Sequence, residues 1–234
     1  MRKILIVLSL FLMSISGYSQ QETLYFSEAL SLYLPKYEKK ANKAYRIQDV
    51  ERADFLFDSV VDHCLKGSYL DNFKVHNLKK EEIFLEDLDK PVFLKTYASW
   101  LVPSEGEIPA LNKLAEEYDQ EIEIVVLFWD SRETVKDLSK KYHKNIRVLY
   151  VDELQNNSSG IISTMKHSLG FPTTFMLNRE KKIVDIRRSL SHPYGISAEK
   201  SFDLNYDSIA DGISLLLLTG SSQFNPAEGV AKLP

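Results

Sequence analysis

The spacing of apolar residues changes near Asn72. Before it they recur every three or four positions, as on one face of a helix. After it, short apolar runs alternate with helical stripes. In the first part, Phe26, Ala29, Leu30, Tyr33 and Leu34 share a face, which predicts a helix from about Thr23 to Ala44. Pro35 is expected to kink or split it. A second helix is expected from about Asp49 to Lys66, with Ala53, Phe55, Leu56, Val60, Val61 and the Cys64-Leu65 pair inward. Asp49 with Arg52 makes a usable N-cap, and Gly67 a stop. So short a helical pair cannot bury itself, so it must pack on the following domain or on a partner. No internal repeat extends it into a helical array.

From Asn72 onward, Phe73 to Val75 and Ile83 to Leu85 are short strand candidates, and Val92 to Tyr97 is a buried strand. Glu107 to Tyr118 follows as a helix with Ile108, Leu111, Leu114 and Ala115 inward. Ile122 to Phe128 is apolar almost throughout, as a central parallel strand requires. A helix from Ser131 to Tyr142, capped by Ser131, should turn Thr134, Val135 and Leu138 inward. Arg147 to Val151 is a strand, and Ser158 to Leu169 a helix ended by Gly170. Thr173 to Leu177 and Ile183 to Ile186 form a hairpin, and Asn205 to Leu218 a last helix. This order predicts an α/β fold with a mixed central sheet flanked by helices and an N-terminal helical extension. The expected division is a leader at 1–19, the helical extension at 20–71, the α/β domain at 72–219 and a loose tail at 220–234.

Composition changes this picture at one end only. With 44% hydrophobic, 26% charged and 11% aromatic residues, the chain reads as globular. A net charge of −4 without a dense basic run gives no reason to expect nucleic acid or a membrane surface as partner. Arg2 and Lys3 precede an apolar run from Ile4 to Ile15, and Gly17 and Ser19 offer a small-residue cleavage site. The run is too short to span a bilayer, so it reads as a secretory signal, with no membrane insertion after its removal. No cysteine follows it, so a lipoprotein anchor is not expected, and the mature chain should be soluble in the periplasm. Loss of Arg2 and Lys3 leaves 27 of the 29 basic residues against 33 acidic ones, a net charge of −6. The chain holds one cysteine, Cys64, and so can form no internal disulfide. Helical spacing puts it with Phe57, Val60, Val61 and Leu65, as a buried structural thiol would be. The other possibility is a reactive thiol beside His63.

Three local patterns carry a resemblance. Phe73-x-Val75-x-Asn77-Leu78, then Leu85-x-x-Leu88 and Lys90-Pro91-Val92, resembles the opening of exported thiol-disulfide proteins of the TlpA/ResA type, relatives of the AhpC/TSA proteins. Ala98-Ser99-Trp100 with Glu107-x-Pro109-x-Leu111 resembles their active-site helix, and Gly170-Phe171-Pro172-Thr173-Thr174-Phe175 their cis-proline loop. The resemblance implies a thioredoxin-like fold over roughly Asn72 to Leu218 and a cis bond between Phe171 and Pro172. It also places the two redox cysteines of the family at positions 101 and 104, where this chain has Leu101 and Ser104. In an active relative the first thiolate attacks a disulfide and the second resolves the mixed disulfide. Leucine cannot attack, and a serine hydroxyl has no accessible two-electron couple. Lys95 stands where many relatives carry a buried carboxylate or amide, and disfavours a proton relay unless its charge reaches solvent.

A replacement chemistry has little to build on. Ser104 would need a base within reach. His63, His76, His143, His167 and His192 are scattered and lack ligand spacing, so no metal or cofactor is expected. Glu105 and Glu107 read as acidic residues of a helix first turn. The chemistry therefore leans against an enzyme. The resemblance implies instead a face made of Trp100, Leu101, Val102, Pro103, Phe171 and Pro172, on which an extended protein or peptide of the cell envelope would bind. That face is either open, or covered by the N-terminal helices or the tail. Two other roles stay open: an oxidoreductase working through Cys64 with a partner thiol, and a structural subunit assembled through its helical pair.

Overall fold

The computed structural model describes residues 23–152, 162–170, 172–190 and 195–221. The expected leader, the cis bond at Phe171 and the tail beyond residue 221 lie outside them. A helix α1 (Phe26–Arg46) packs against α2 (Val50–Val60), which continues as a π-helical turn (Val61–Leu65). Asp49 caps α2 by accepting from the Arg52 amide at 3.0 Å. Pro35 neither breaks nor divides α1. Both Pro35 and Ser31, whose carbonyl loses its helical donor, are exposed, so water can satisfy that group.

Among the described residues seven strands follow: β1 (Lys74–Asn77), β2 (Glu82–Phe84), β3 (Val92–Tyr97), β4 (Glu123–Phe128), β5 (Ile146–Tyr150), β6 (Thr173–Leu177) and β7 (Ile183–Arg188). They form one sheet in the order β2-β1-β5-β4-β3-β6-β7. β3, β4 and β5 run parallel, and every other pairing is antiparallel. Among the described residues the other α-helices are α3 (Glu107–Glu117), α4 (Arg132–Leu138) and α5 (Ala198–Ser221).

The strict alternation of β3 assigns its side chains to two cores. Val92 and Leu94 join a core with Phe26, Ala29, Phe57 and Phe175, so the helical pair seals one face of the sheet. Phe26 meets Phe175 edge-on with centroids 5.4 Å apart. Phe93 and Tyr97 join the opposite core with Leu111, Leu114, Ile209 and Ile213.

Several expectations change. Phe55 is 58% exposed, because the buried stripe of α2 runs through Ala53, Leu56, Phe57 and Val60. Its ring instead lies under the Arg52 guanidinium at 5.1 Å. Tyr33 is exposed as well. Thr134 faces solvent, since its amide and hydroxyl engage the Ser131 cap. α4 stops at Leu138 and tightens into a 3₁₀ turn (Ser139–Lys141). Residues Ile162–His167, expected as α-helix, form a π-helical turn. The last helix starts seven residues before Asn205 and runs to Ser221. Ser201 and Asn205, polar yet buried, lie in or at the end of that unexpected first part.

Candidate functional site

The chain leaves β3 at Tyr97 and reaches α3 at Glu107 through a loop fastened on both sides. On the β4 side, the amide of Ser99 donates to Asp130 at 2.7 Å and its hydroxyl to the other oxygen of the same carboxylate. The Trp129 amide donates to the Tyr97 carbonyl at 3.0 Å, which continues the β3–β4 pairing into the loop. The Leu101 amide then donates to the Ala98 carbonyl at 3.0 Å, a tight turn that throws Trp100 outward. On the α5 side, the Gly106 amide donates to Ser201 Oγ at 3.0 Å and Asn205 Nδ2 donates to Ser104 Oγ at 2.9 Å. Glycine is required at 106: a Cβ there would sit 2.1 Å from the backbone nitrogen of Phe202.

The exposure along this loop is uneven. Trp100 is 68% and Val102 92% exposed, whereas Leu101, Pro103 and Ser104 are half-buried and Ala98 is buried. Leu101 packs partly against the core beneath α3. Neither Leu101 nor Ser104 is on a helix, since α3 begins at Glu107 with Gly106 as its cap. Position 101 thus lies outside the first turn of α3, beyond the reach of the dipole that would favour a thiolate.

Pro172 comes to the same end of the sheet. The β3–β6 register sets Lys95 opposite Thr174, and continuing it sets Tyr97 opposite Pro172. Thr96 Oγ1 donates to the Thr173 carbonyl at 3.1 Å and accepts from its amide at 3.3 Å, locking that register. Pro172 is half-buried, and its carbonyl accepts from the Ser189 amide. Trp100, Leu101, Val102, Pro103 and Pro172 therefore converge on one edge of the molecule, and Phe171 lies outside the described residues.

Under this edge sits a buried charge pair. Lys95, on the α3–α5 face of β3, is 5% exposed; its charge does not reach solvent as the sequence allowed. Its Nζ lies 3.4 Å from Glu107 Oε1 and donates to Ser189 Oγ at 2.8 Å. Glu107 also accepts from the Tyr97 hydroxyl at 2.9 Å. Burial lowers the pKa of the Lys95 ammonium, and the Glu107 carboxylate opposes that. Burial and the same carboxylate push the Tyr97 hydroxyl far up, so it stays a donor. Glu107 is thus a buried counter-ion rather than a solvated first-turn acid. Lys95 on a buried strand calls for a counter-ion, but nothing local in the sequence marks Glu107 as that partner. A cavity of about 30 Å³ lined by Lys95, Glu107, Ser189 and Asn205 has room for about one water.

Cys64 sits in the π-helical turn after α2, half-buried, with its pKa raised by burial and lowered in part by Lys36. His63 points its Nδ1 to the Ser59 carbonyl at 2.9 Å, in helix-internal contact. Among the described residues no three His, Cys, Asp or Glu side chains converge as a metal site would require.

The AhpC/TSA family profile matches residues 67–186. A thiol-disulfide oxidoreductase ResA of Bacillus cereus is 33% identical over 123 residues, 51% of this chain and 67% of that protein. The thioredoxin-like protein YneN of Bacillus subtilis (strain 168) is 27% identical over 126 residues, 52% and 70% of the two chains. Among solved structures, a thiol:disulfide interchange protein DsbE from Chlorobium tepidum superposes with a TM-score of 0.50 at 18% identity, covering 65% of this chain and 97% of that one. At that identity the likeness concerns the fold, which is thioredoxin-like.

Proposed function

The chain belongs to the AhpC/TSA family of thiol-disulfide oxidoreductases and their relatives, and we propose that it is an exported member that binds rather than reduces. In this reading it holds an extended protein or peptide of the cell envelope on the edge formed by Trp100, Leu101, Val102, Pro103, Phe171 and Pro172. The carrying observation is the pairing of Trp100 at 68% and Val102 at 92% exposure with a leucine and a serine at the positions of the redox cysteines. An exposed aromatic beside apolar residues on a fastened loop is the arrangement in which partners find their anchors. Ser104 supports it, because its hydroxyl accepts from Asn205 and has no base beside it among the described residues. Periplasmic export rests on the Arg2-Lys3 charge and the apolar run to Ile15. No helix among the described residues is long and apolar enough to cross a membrane.

The half-buried Cys64, with its raised pKa, gives no support to a thiol enzyme working from that position. The test places a photo-crosslinking amino acid at Val102 and, separately, at Lys140 on the 3₁₀ turn after α4. A dominant adduct in native cells from Val102 alone is expected; equal adducts at both positions would overturn the binding reading. Catalysed disulfide reduction by the purified chain would overturn the claim of redox inactivity.

A further inference from the structure

Arg188 closes β7 and gathers three separate segments around its guanidinium. Nη2 donates to the Tyr37 hydroxyl at 2.8 Å and Nη1 to the Tyr45 hydroxyl at 2.9 Å, both on α1 and about two turns apart. The Phe57 ring of α2 lies against the guanidinium, its centroid 4.1 Å from Cζ. Nε and Nη2 also donate to the Leu169 carbonyl, at 3.3 and 3.2 Å. Tyr37, Phe57 and Leu169 are buried, and Arg188 itself is half-buried. A planar fork with fixed donors can join two hydroxyls, a ring face and a carbonyl at once; a lysine ammonium cannot.

The Leu169 carbonyl belongs to the stretch that leads into Pro172, and the same strand end holds that stretch from its other side. Arg188 is the register partner of Thr173, and the Ser189 amide donates to the Pro172 carbonyl at 3.3 Å. Thr173 Oγ1 closes the turn on the Gly170 carbonyl at 2.6 Å. The loop that carries Trp100 and Val102 is fastened elsewhere, to Asp130 and to α5. The two halves of the edge therefore have different supports, and only the Pro172 half leads back through Arg188 to the helical pair.

We propose that the helical extension positions the recognition edge: through Arg188, α1 and α2 set the place of Pro172, while Asp130 and α5 set that of Trp100 and Val102. Arg188 acts through the Leu169 carbonyl and the backbone of Ser189, and is a positioning residue. Sealing the sheet needs the apolar bodies of Phe26, Ala29 and Phe57. Two hydroxyls aimed at one cation add direction, which packing alone does not supply. That Pro172 meets a peptide rests on the binding reading; the coupling of the helices to Pro172 does not.

Amide hydrogen exchange of the full chain, followed by NMR, tests the coupling. Tyr37→Phe/Tyr45→Phe keeps both rings and removes only the hydroxyls. Exchange at the Thr173 and Ser189 amides should then rise roughly tenfold or more, with the Leu101 and Trp129 amides unchanged. Arg188→Met should raise it at the same two amides, and the triple variant no further than Arg188→Met alone. Crosslinking from Val102 in native cells should fall severalfold in the tyrosine variant. Unchanged exchange at Thr173 and Ser189 would overturn the proposal, as would an equal rise at all four amides, the mark of a general loosening. So would effects of the two variants that simply add, or a tyrosine variant that loosens Pro172 yet captures its partner as the parent does. Exchange is read without a partner, so a parent chain that yields no Val102 adduct would overturn the binding reading alone.

Discussion

Lys95 and Glu107 are each 5% exposed, while Trp100 and Val102, which lie between them in sequence, are 68% and 92% exposed. Charge is inside and apolar surface outside, within one loop and its two flanks. The two regions are constrained differently. The buried pair is held by mutual need: each ion would be costly without the other, and Ser189 and Tyr97 complete their hydrogen bonds. The exposed residues are held by the backbone that carries them, through Asp130 at one end and α5 at the other. The lower region therefore governs stability, and the upper one is free to serve recognition.

The largest expected effect comes from breaking the lower region. Lys95→Met leaves Glu107 buried without its cation and should cost about 3–5 kcal/mol in urea unfolding. Lys95→Met/Glu107→Gln keeps an acceptor for the Tyr97 hydroxyl and should recover most of that loss. A double variant as unstable as the single one would show that the pair is not coupled. The same variants fix the sign of a pH effect. The unfolded chain keeps the Lys95 proton up to the ordinary lysine range near ~10.4. The folded chain releases it at lower pH, because burial lowers this group. Stability should therefore rise with pH between those two values, and the rise should be smaller in the double variant.

A middle-sized effect is expected from the fastening between loop and helix. Gly106→Ala puts a Cβ 2.1 Å from a backbone nitrogen of α5, which cannot move as a side-chain tip could. A loss of about 1–3 kcal/mol follows, read from the thermal midpoint. An unchanged midpoint would mean that α5 does not clamp the loop. The smallest stability effect belongs to the upper region. Trp100→Ala and Val102→Ser should stay within about 0.5 kcal/mol of the parent, while capture of a partner at this edge falls by roughly tenfold or more. Equal losses of stability and capture would erase the contrast between the two regions.

Much of the frame was legible from local pattern. The buried strand at Val92 to Tyr97, the Ser131 and Asp49 caps and the start of α3 at Glu107 follow from short-range chemistry, and the structure has each of them. The positions 100–104 were legible through Ala98-Ser99-Trp100 and Pro172-Thr173, which the β3–β6 register brings to one edge. The partners of that loop were not legible. Ser104 and Asn205 are 101 positions apart, and a serine and an asparagine carry no periodicity that announces burial. Glu107 reads as a first-turn acid because helix chemistry alone explains it; its burial depends on α3 lying over Lys95. Phe55 failed for the opposite reason, since an apolar residue beside a buried stripe need not belong to it.

Residue order alone was enough to say which segments are helix and strand, with the exceptions above, that the fold is α/β, and that positions 101 and 104 hold no thiol. Those properties depend on residue type and on spacings within a turn or a strand. Packing across the sheet was needed to keep Lys95 inside with Glu107 and to fasten the loop to α5. Burial and charge pairing depend on which elements face each other, and long-range contact, unlike periodicity, leaves no local mark in a single chain.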